Sequence, residues 1–374
     1  MKLSINRNII VVMIFFFSIS VVMLGMVLKL DRLPQNTENR KLAELPSIKF
    51  EVNALELYPK KFTNYFNDHF GFRNTFVVIN FFLRHNILRE SPSSQVVSGK
   101  SGWYFYENER SIEDYRGITH FDDKKLRDMA TSYENKRELL SRKGIRYILV
   151  LAPNKETIYG EWMPDSLYKI RNRTGLDEIS EYLSGNTKVD FIDLRKTLFG
   201  NKNREQLYMK THSSWNDYAA FLAYQEIMKT VAQRFPGARA NPLTEFNIKR
   251  EEIRGGDLAE MMGGADYFRE WNVTLIPKTP RKARKVDMNP SATYREPISI
   301  TLNNEKNELP RILVFRDCFF DKIIPFLSEH FQYSKYYWQS WNPDTPIADI
   351  ISEVRPDVVI EEKVERFLKF PKSP

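Results

Sequence analysis

The sequence holds one cysteine, and its position suits a nucleophile. Cys318 follows the apolar run Arg311–Phe315, which predicts a buried strand, and precedes a predicted helix over 319–331. The first turn of a helix lowers a thiol's pKa and offers backbone N–H groups to an oxyanion. Nucleophilic attack by Cys318, with backbone N–H groups holding an oxyanion, is the chemistry that this position would allow. The other interpretation is a small packed side chain, because free cysteines are commonly buried in cores.

A histidine that could serve as a base lies in a second polar segment, 208–220. His212 is followed by Ser213, Ser214 and Trp215, and Asn216 is a plausible N-cap for a helix over 216–234. An imidazole near a thiol can take its proton. A solvated loop histidine is the alternative interpretation. The chain has five histidines, so few other bases of this type are available.

Composition and missing motifs exclude several function classes. The chain contains no Walker-type phosphate loop, no H-E-x-x-H and no G-x-S-x-G. One cysteine and five histidines argue against a metal centre, so we expect neither a metal nor a cofactor. The net charge of +8 permits an anionic partner. The basic run 278–285 is interpreted as a solvated loop or an anionic-polymer contact, and without a nucleic-acid motif we expect no nucleic acid.

Alternating strand and helix patterns must position these residues. A mostly helical segment with a turn at 70–73 is predicted over 60–88, a helix over 122–143, and a hairpin over 96–106. Short buried strands with intervening helices predict a mostly parallel sheet covered on both faces. Ligands of such sheets bind beyond the carboxyl ends of the strands, which is where Cys318 falls. The predicted strands are 145–151, 189–194, Arg311–Phe315, 335–338 and 357–360.

The N-terminal segment predicts the compartment. Residues 8–28 are uncharged and apolar, and about 20 such residues span a bilayer as a helix. No small-residue cleavage site follows, which favours an uncleaved signal anchor over a cleaved signal peptide or a buried helix. Lys2 and Arg7 favour a cytoplasmic N-terminus. We therefore expect a tip and anchor over 1–30, a linker over 31–53 and one domain over 54–374 outside the cytoplasm, where a lone cysteine cannot mispair within the chain.

A series of short motifs is spread over about 37–369. The motifs are 38–46 (ENRKLAELP), 66–73 (FNDHFGFR), 97–106 (VSGKSGWYFY), 152–155 (APNK) with 158–159 (IY), 256–259 (GDLA), 356–359 (PDVV) and 365–367 (ERF). In order and spacing they resemble those of the SGNH-hydrolase-like proteins of alginate and other exopolysaccharide O-acetylation, the AlgJ/AlgX type. The resemblance implies a three-layer α/β fold with a mostly parallel sheet, preceded here by the predicted transmembrane helix.

The catalytic positions depart from that family. Its members typically carry an Asp-x-His-Trp-Asn loop, and an Asp-Ser pair after a strand. Aligning Trp215 puts His212 at the Asp position and Ser214 at the His position. Asp317 and Cys318 match the Asp-Ser pair. Because Ser214 has no nitrogen base, a triad of the usual form cannot operate.

The rest of the implied site is retained. By resemblance, the residues that would contact substrate are Asn154, Lys155, Tyr159, Trp215 and Asp257. We expect His212, Ser214, Asp317 and Cys318 to come together, with Asn154 and Lys155 nearby.

Two outcomes stay open for the chemistry. One is a rewired dyad, in which Cys318 is the nucleophile and His212 the base, and for which the resemblance implies acetyl transfer or ester hydrolysis. The other is a degenerate site that binds polysaccharide or scaffolds a secretion complex without turnover. The resemblance implies an anionic or neutral exopolysaccharide and a membrane-bound acetyl-donor protein as partners. The predicted anchor implies a location in the cytoplasmic (inner) membrane, with the bulk of the chain facing the periplasm or cell exterior.

Overall fold

A computed structural model describes residues 7–31, 42–48, 52–286, 298–303 and 309–368. Most of the predicted linker over 31–53, and Lys2, lie outside the described residues. The chain divides into two compact units, Met1–Val96 with Gly255–Phe268, and Val97–Arg254 with Arg269–Pro374. The single domain predicted over 54–374 stays a prediction.

The helices of the described residues are mostly short. In addition to the α-helices, Leu83–Leu88 forms a π-helix and Cys318–Lys322 forms a 3₁₀ turn. The α-helices are α1 (Arg7–Val27), α2 (Val52–His69), α3 (Arg73–Phe82), α4 (Ser111–Tyr115), α5 (Asp123–Ser141), α6 (Lys155–Ile158), α7 (Gly175–Asn186), α8 (Arg195–Asn201), α9 (Asp217–Ala232), α10 (Asp257–Met261), α11 (Ile324–Leu327) and α12 (Ile347–Val354).

The strands form one main sheet and two ribbons. The main sheet has seven strands in the order β4-β3-β11-β9-β10-β8-β7, and the ribbons are β1-β2 and β5-β6. The strands are β1 (Val96–Ser98), β2 (Tyr104–Tyr106), β3 (Arg146–Ala152), β4 (Asp190–Asp193), β5 (Phe246–Arg254), β6 (Arg269–Pro277), β7 (Arg284–Val286), β8 (Ile298–Leu302), β9 (Arg311–Phe315), β10 (Tyr333–Tyr337) and β11 (Val358–Val364).

The predicted parallel sheet is confirmed. β4, β3, β11, β9 and β10 pair in parallel, and β8 and β7 add an antiparallel edge. β9 lies inside the sheet between β11 and β10, as its unbroken apolar run predicts. The carboxyl ends of these parallel strands therefore meet at one edge, which carries the turn that begins with Cys318.

Helices cover both faces of the sheet. Along β3, Ile148 and Val150 pack into one hydrophobic cluster with α9, while Leu149 and Leu151 pack into another with α5 and α7. The alternation follows from the two-residue period of a strand. Each of these side chains is fully buried, which stabilises the fold by roughly 1.5–3 kcal/mol apiece. The result is the three-layer α/β fold that the resemblance implies.

Two predicted helices are interrupted. The predicted helix over 319–331 becomes a 3₁₀ turn, the four-residue α11 and a second 3₁₀ turn at Ser328–His330. Pro325 lies at the start of α11, where its missing N–H and fixed φ favour a new helix start over continuation. The mostly helical segment predicted over 60–88 contains the turn predicted at 70–73, where Phe72 adopts a left-handed backbone with φ of 60° just before α3 begins. The hairpin predicted over 96–106 is confirmed by the ribbon β1-β2.

The N-terminal helix has the dimensions of a membrane span. Asn8–Val27 is 20 residues long with a mean hydropathy of 2.8, and most of its side chains are exposed. By length and composition it is apolar enough to cross a membrane.

Candidate active site

The Cys318 turn lies at the carboxyl end of β9, where sequence analysis expects the chemistry. Cys318 is half-buried and opens the 3₁₀ turn. The Asp317 side chain caps this turn, because its carboxylate accepts hydrogen bonds from the backbone N–H of Phe319 at 2.9 Å and of Val364 at 2.8 Å. Asp317 therefore fixes the turn against the end of β11. Its role here is structural, and both of its oxygens already accept hydrogen bonds.

The environment of the thiol does not produce the lowered pKa that the helix start predicts. Burial and the nearby Asp317 carboxyl raise the pKa of the Cys318 thiol to about 12, and Arg366 opposes them only in part. The segment that follows is a five-residue 3₁₀ turn, so the dipole of a full helix is missing. At neutral pH the thiol is therefore protonated, and a protonated thiol is a poor nucleophile.

Arg366 is the side chain that contacts the thiol. Its Nη2 lies 3.9 Å from the Cys318 sulfur, and its Nη1 lies 3.5 Å from Asn154 Oδ1. The guanidinium is buried and stacks over aromatic rings, among them that of Phe319 at 5.3 Å. Arg366 thus joins Asn154 to Cys318. Sequence reasoning placed it in a family motif but gave it no part in the site.

Two buried carboxyls lie behind the Cys318 turn. The backbone N–H of Asp317 donates to Glu362 Oε2 at 3.0 Å. Burial and the charge of Asp317 raise the pKa of Glu362 well above its ordinary range, and burial raises that of Asp317 as well. Burial therefore favours the neutral form of the Glu362 carboxyl. The charged run 361–363 inside β11, whose other residues are apolar, is the sequence signal that could have identified Glu362.

The predicted base makes its contact within its own loop. His212 Nδ1 lies 3.0 Å from Ser214 Oγ and 3.2 Å from the backbone N of Ser214. Since the backbone N–H can only donate, Nδ1 is the acceptor. Positions 212 and 214 are thus hydrogen-bonded to each other, with the imidazole at the first position and the hydroxyl at the second. In the described part of the chain, the hydrogen-bond contact of the thiol goes to Arg366 and not to His212.

Lys155 is an internal clamp of the site. Its ammonium donates to three backbone carbonyls, those of Tyr104 at 2.7 Å, Lys210 at 2.7 Å and His212 at 3.0 Å. An ammonium has three donors, so these bonds use all of them. The charge also lies 5.2 Å from the centre of the Trp103 ring. Lys155 therefore holds the His212 loop against β2, and its predicted contact with substrate would require these bonds to break.

Trp215 and Tyr159 shape the site from beneath. The Trp215 indole N–H donates to the carbonyl of Phe319 at 2.8 Å, which ties the His212 loop to the Cys318 turn. The Tyr159 hydroxyl accepts from the backbone N–H of Leu207 at 3.0 Å. Both rings are buried, so both act as packing and positioning residues. The contacts therefore connect Asn154, Lys155, His212, Ser214, Asp317 and Cys318 through shared partners without joining thiol to imidazole. That these residues form one functional site stays a prediction.

Asp257 belongs to the other compact unit. It begins α10, with Gly256 as the N-cap, and its carboxylate accepts from the backbone N–H of Leu258 at 2.9 Å. Its predicted contact with substrate stays a prediction. Among the described residues, no group of three or more His, Cys, Asp or Glu side chains is arranged to hold a metal ion.

Comparison with known proteins identifies the family. Residues 96–294, more than half of the chain, match the family model of the SGNH hydrolase-like domain of the acetyltransferase AlgX. The structure of Bacillus cereus PatB1 is similar in fold, with 16% identity over 73% of this chain and 96% of that one and a TM-score of 0.51. The O-acetyltransferase domain of Pseudomonas putida AlgJ has 16% identity over 74% and 92%, with a TM-score of 0.45. No match was found among curated protein sequences. The chain belongs to the SGNH hydrolase-like family of AlgX-type acetyltransferase domains.

Proposed function

We propose that this chain is a membrane-anchored, extracytoplasmic component of exported-polysaccharide O-acetylation that binds the glycan without transferring an acyl group itself. Family membership supports the link to O-acetylation. The length and hydropathy of Asn8–Val27 support the anchor. The glycan would be an anionic or neutral exopolysaccharide, and the further partner a membrane-bound acetyl-donor protein.

The contacts of Cys318 carry this proposal. Acyl transfer by a thiol needs either a thiolate or a base that takes the proton during attack. The Cys318 sulfur has its hydrogen-bond contact with Arg366, and Ser214 lies at the position of the family's histidine base. The Nδ1 atom of His212 already accepts from the Ser214 backbone N–H. The site therefore provides neither a thiolate nor a base placed to take the proton of the Cys318 thiol.

The retained scaffold of the site supports binding. Lys155, Trp215 and the Asp317 cap fix the loops at the sheet edge. A rigid, polar sheet edge suits recognition of a hydroxylated ligand. The proposal therefore keeps the scaffold of the family and removes its covalent step.

Intact-mass spectrometry tests the loss of chemistry. We expect no acetyl adduct on Cys318 after the full chain is incubated with an activated acetyl ester at pH 7.5, and the same spectrum for Cys318→Ala. An adduct of one acetyl group that depends on Cys318 and disappears in His212→Ala would overturn the proposal in favour of the dyad. Membrane fractionation with protease protection tests the anchor, because a chain released in soluble form would contradict it.

A further inference from the structure

The segment 73–88, which consists of α3 and the π-helix that follows it, exposes an apolar face. Phe76, Ile79, Leu83 and Ile87 follow one another at intervals of three, four and four residues and are 45% to 69% exposed. That spacing places the four side chains on one side of a helix. We call them the α3 stripe. Single exposed apolar residues are ordinary on a protein surface, whereas a continuous patch of them marks an interaction site.

The other side of the same segment is packed within its compact unit. Phe81 is buried, and its ring stacks with that of Tyr267 at 5.7 Å between ring centres. Gly264 lies so close to Phe81 that a Cβ on this glycine would overlap the ring. Phe82 and Tyr267 contact each other edge to face at 4.5 Å, and both add to the exposed apolar surface of the unit. The α3 stripe is therefore the outer side of a packed helix and not a frayed end.

The start of α3 is held against the end of α1. Asp31 follows shortly after the last residue of α1, and its carboxylate accepts from the backbone N–H of Asn74 at 2.8 Å and from the Thr75 hydroxyl at 3.2 Å. Gly71, just before α3, lies so close to α1 that a Cβ on this glycine would overlap the carbonyl of Val22. The first turn of α3 therefore lies beside the carboxyl-terminal end of α1.

The position of this junction points to a membrane surface. By length and hydropathy α1 is apolar enough to span a bilayer, and it is the proposed anchor of the chain. With α1 as the anchor, the α3 stripe begins where the span leaves the bilayer. An amphipathic helix in the interface buries its apolar side roughly 5–10 Å into the boundary between headgroups and acyl chains. An exposed tyrosine such as Tyr267 is typical of that boundary.

The charges of the segment 73–90 are compatible with phospholipid headgroups. The segment contains three arginines and one glutamate, and Arg84 and Arg89 are exposed. Basic side chains at the edge of an apolar face keep their stems on that face while the guanidinium reaches a phosphate. Asp266, next to Tyr267, is also exposed, so the excess of positive charge is small. Burial of the α3 stripe is therefore expected to contribute most of the binding.

We propose that the α3 stripe lies in the interface of the phospholipid bilayer that α1 spans, and that lipid, not a protein, covers this face. The inference rests on the proposed anchor and adds to it a second contact, on the membrane surface. A single span leaves a chain free to tilt at the membrane. Two contacts that are joined through Asp31 and Gly71 fix how the unit that contains α3 faces the bilayer.

Fluorescence quenching in vesicles of phosphatidylcholine and phosphatidylglycerol tests the proposal with the full chain. Cys318→Ala removes the native thiol, and a polarity-sensitive dye is then attached to one introduced cysteine at a time. The lipids carry a nitroxide quencher either near the headgroup or near the end of the acyl chain. The four label positions are Phe17→Cys in the middle of α1, Ile79→Cys and Ile87→Cys in the α3 stripe, and Asn203→Cys on an exposed turn as the background.

The depth of each label separates the inference from the anchor. The Phe17 label should lose more fluorescence to the deep nitroxide, and the Ile79 and Ile87 labels more to the shallow one. Quenching at Phe17 with only background at Ile79 and Ile87 would overturn the inference and leave the anchor standing, and background at Phe17 as well would contradict both.

Matched changes within the α3 stripe test the apolar contact itself. Leu83→Glu puts a charge into the stripe and should reduce shallow quenching of the Ile79 label without altering that of the Phe17 label. Leu83→Met keeps an apolar side chain and should leave both values unchanged. Shallow quenching at Ile79 that survives Leu83→Glu would contradict the inference. Labels at Ile79 and Ile87 that show background in vesicles but are shielded from iodide in native membranes would also overturn it, because a membrane protein would then cover the stripe.

Discussion

The reactivity of the single thiol is the sharpest consequence of the Cys318 environment. Because Cys318 is the chain's only cysteine, a chromogenic aromatic disulfide reports on it alone. A pKa of about 12, against the ordinary value of 9.0, leaves about 1,000-fold less thiolate at pH 8. A more basic thiolate attacks disulfides faster, with a Brønsted slope of about 0.4–0.5, which offsets roughly 30-fold of this loss. The folded chain should therefore react at least roughly 30-fold more slowly than the same chain unfolded in guanidinium.

Matched variants separate pKa from access. Asp317→Asn removes a charge that raises the thiol's pKa and should speed the reaction, whereas Arg366→Gln removes one that lowers it and should slow the reaction further. If restricted access of the reagent to Cys318 were the only cause of the slow reaction, both variants would react at the wild-type rate. The rate of the wild type should also keep rising with pH beyond pH 10. A folded-state rate within threefold of the unfolded rate, or a plateau below pH 9, would refute this description of the site.

Two further changes test the scaffold around the site. Glu156 is buried, and burial raises the pKa of its carboxyl from 4.5 to about 7. The folded state then binds this proton more tightly than the unfolded state, so the associated stability is present below pH 4.5 and is lost as pH rises through 7, about 3 kcal/mol in all. In denaturant unfolding, the free energy of unfolding of Glu156→Gln should therefore rise by about 3 kcal/mol relative to that of the wild type as the pH goes from 4.5 to 8. A difference between the two proteins that does not change with pH would contradict the raised pKa. Lys155→Met should lower the free energy of unfolding by roughly 3 kcal/mol, because three buried carbonyls lose their donor, and a thermal midpoint equal to that of wild type would show that the clamp contributes nothing.

The strands could be predicted from the sequence because burial on two faces leaves a local pattern. Arg311–Phe315 and 145–151 are short apolar runs, and in the sheet they are the inner strands β9 and β3. The break at Pro325 was also visible in the sequence, although a helix through it was predicted. Local pattern therefore determined most of the fold.

The state of the thiol could not be predicted in the same way. It depends on Arg366 and Glu362, which lie more than 40 residues from Cys318 and reach it only because β11 pairs with β9. Their effects on the thiol oppose each other, so only the folded geometry shows that burial and negative charge prevail. Similarly, the residue types at 212 and 214 were readable, but the hydrogen bond between them depends on the loop's conformation.

We propose that this chain keeps the scaffold of its family and lacks the catalytic chemistry. The most direct measurement compares ester turnover by the wild type and by the triple variant His212→Asp, Ser214→His, Cys318→Ser, with thermal unfolding as the check that both fold. Triad members act as a unit, so the three changes are needed together. We predict no turnover of an activated acetyl ester above the Cys318→Ala background by the wild type, and measurable turnover by the triple variant. Turnover by the wild type that is abolished by Cys318→Ala would contradict the claim.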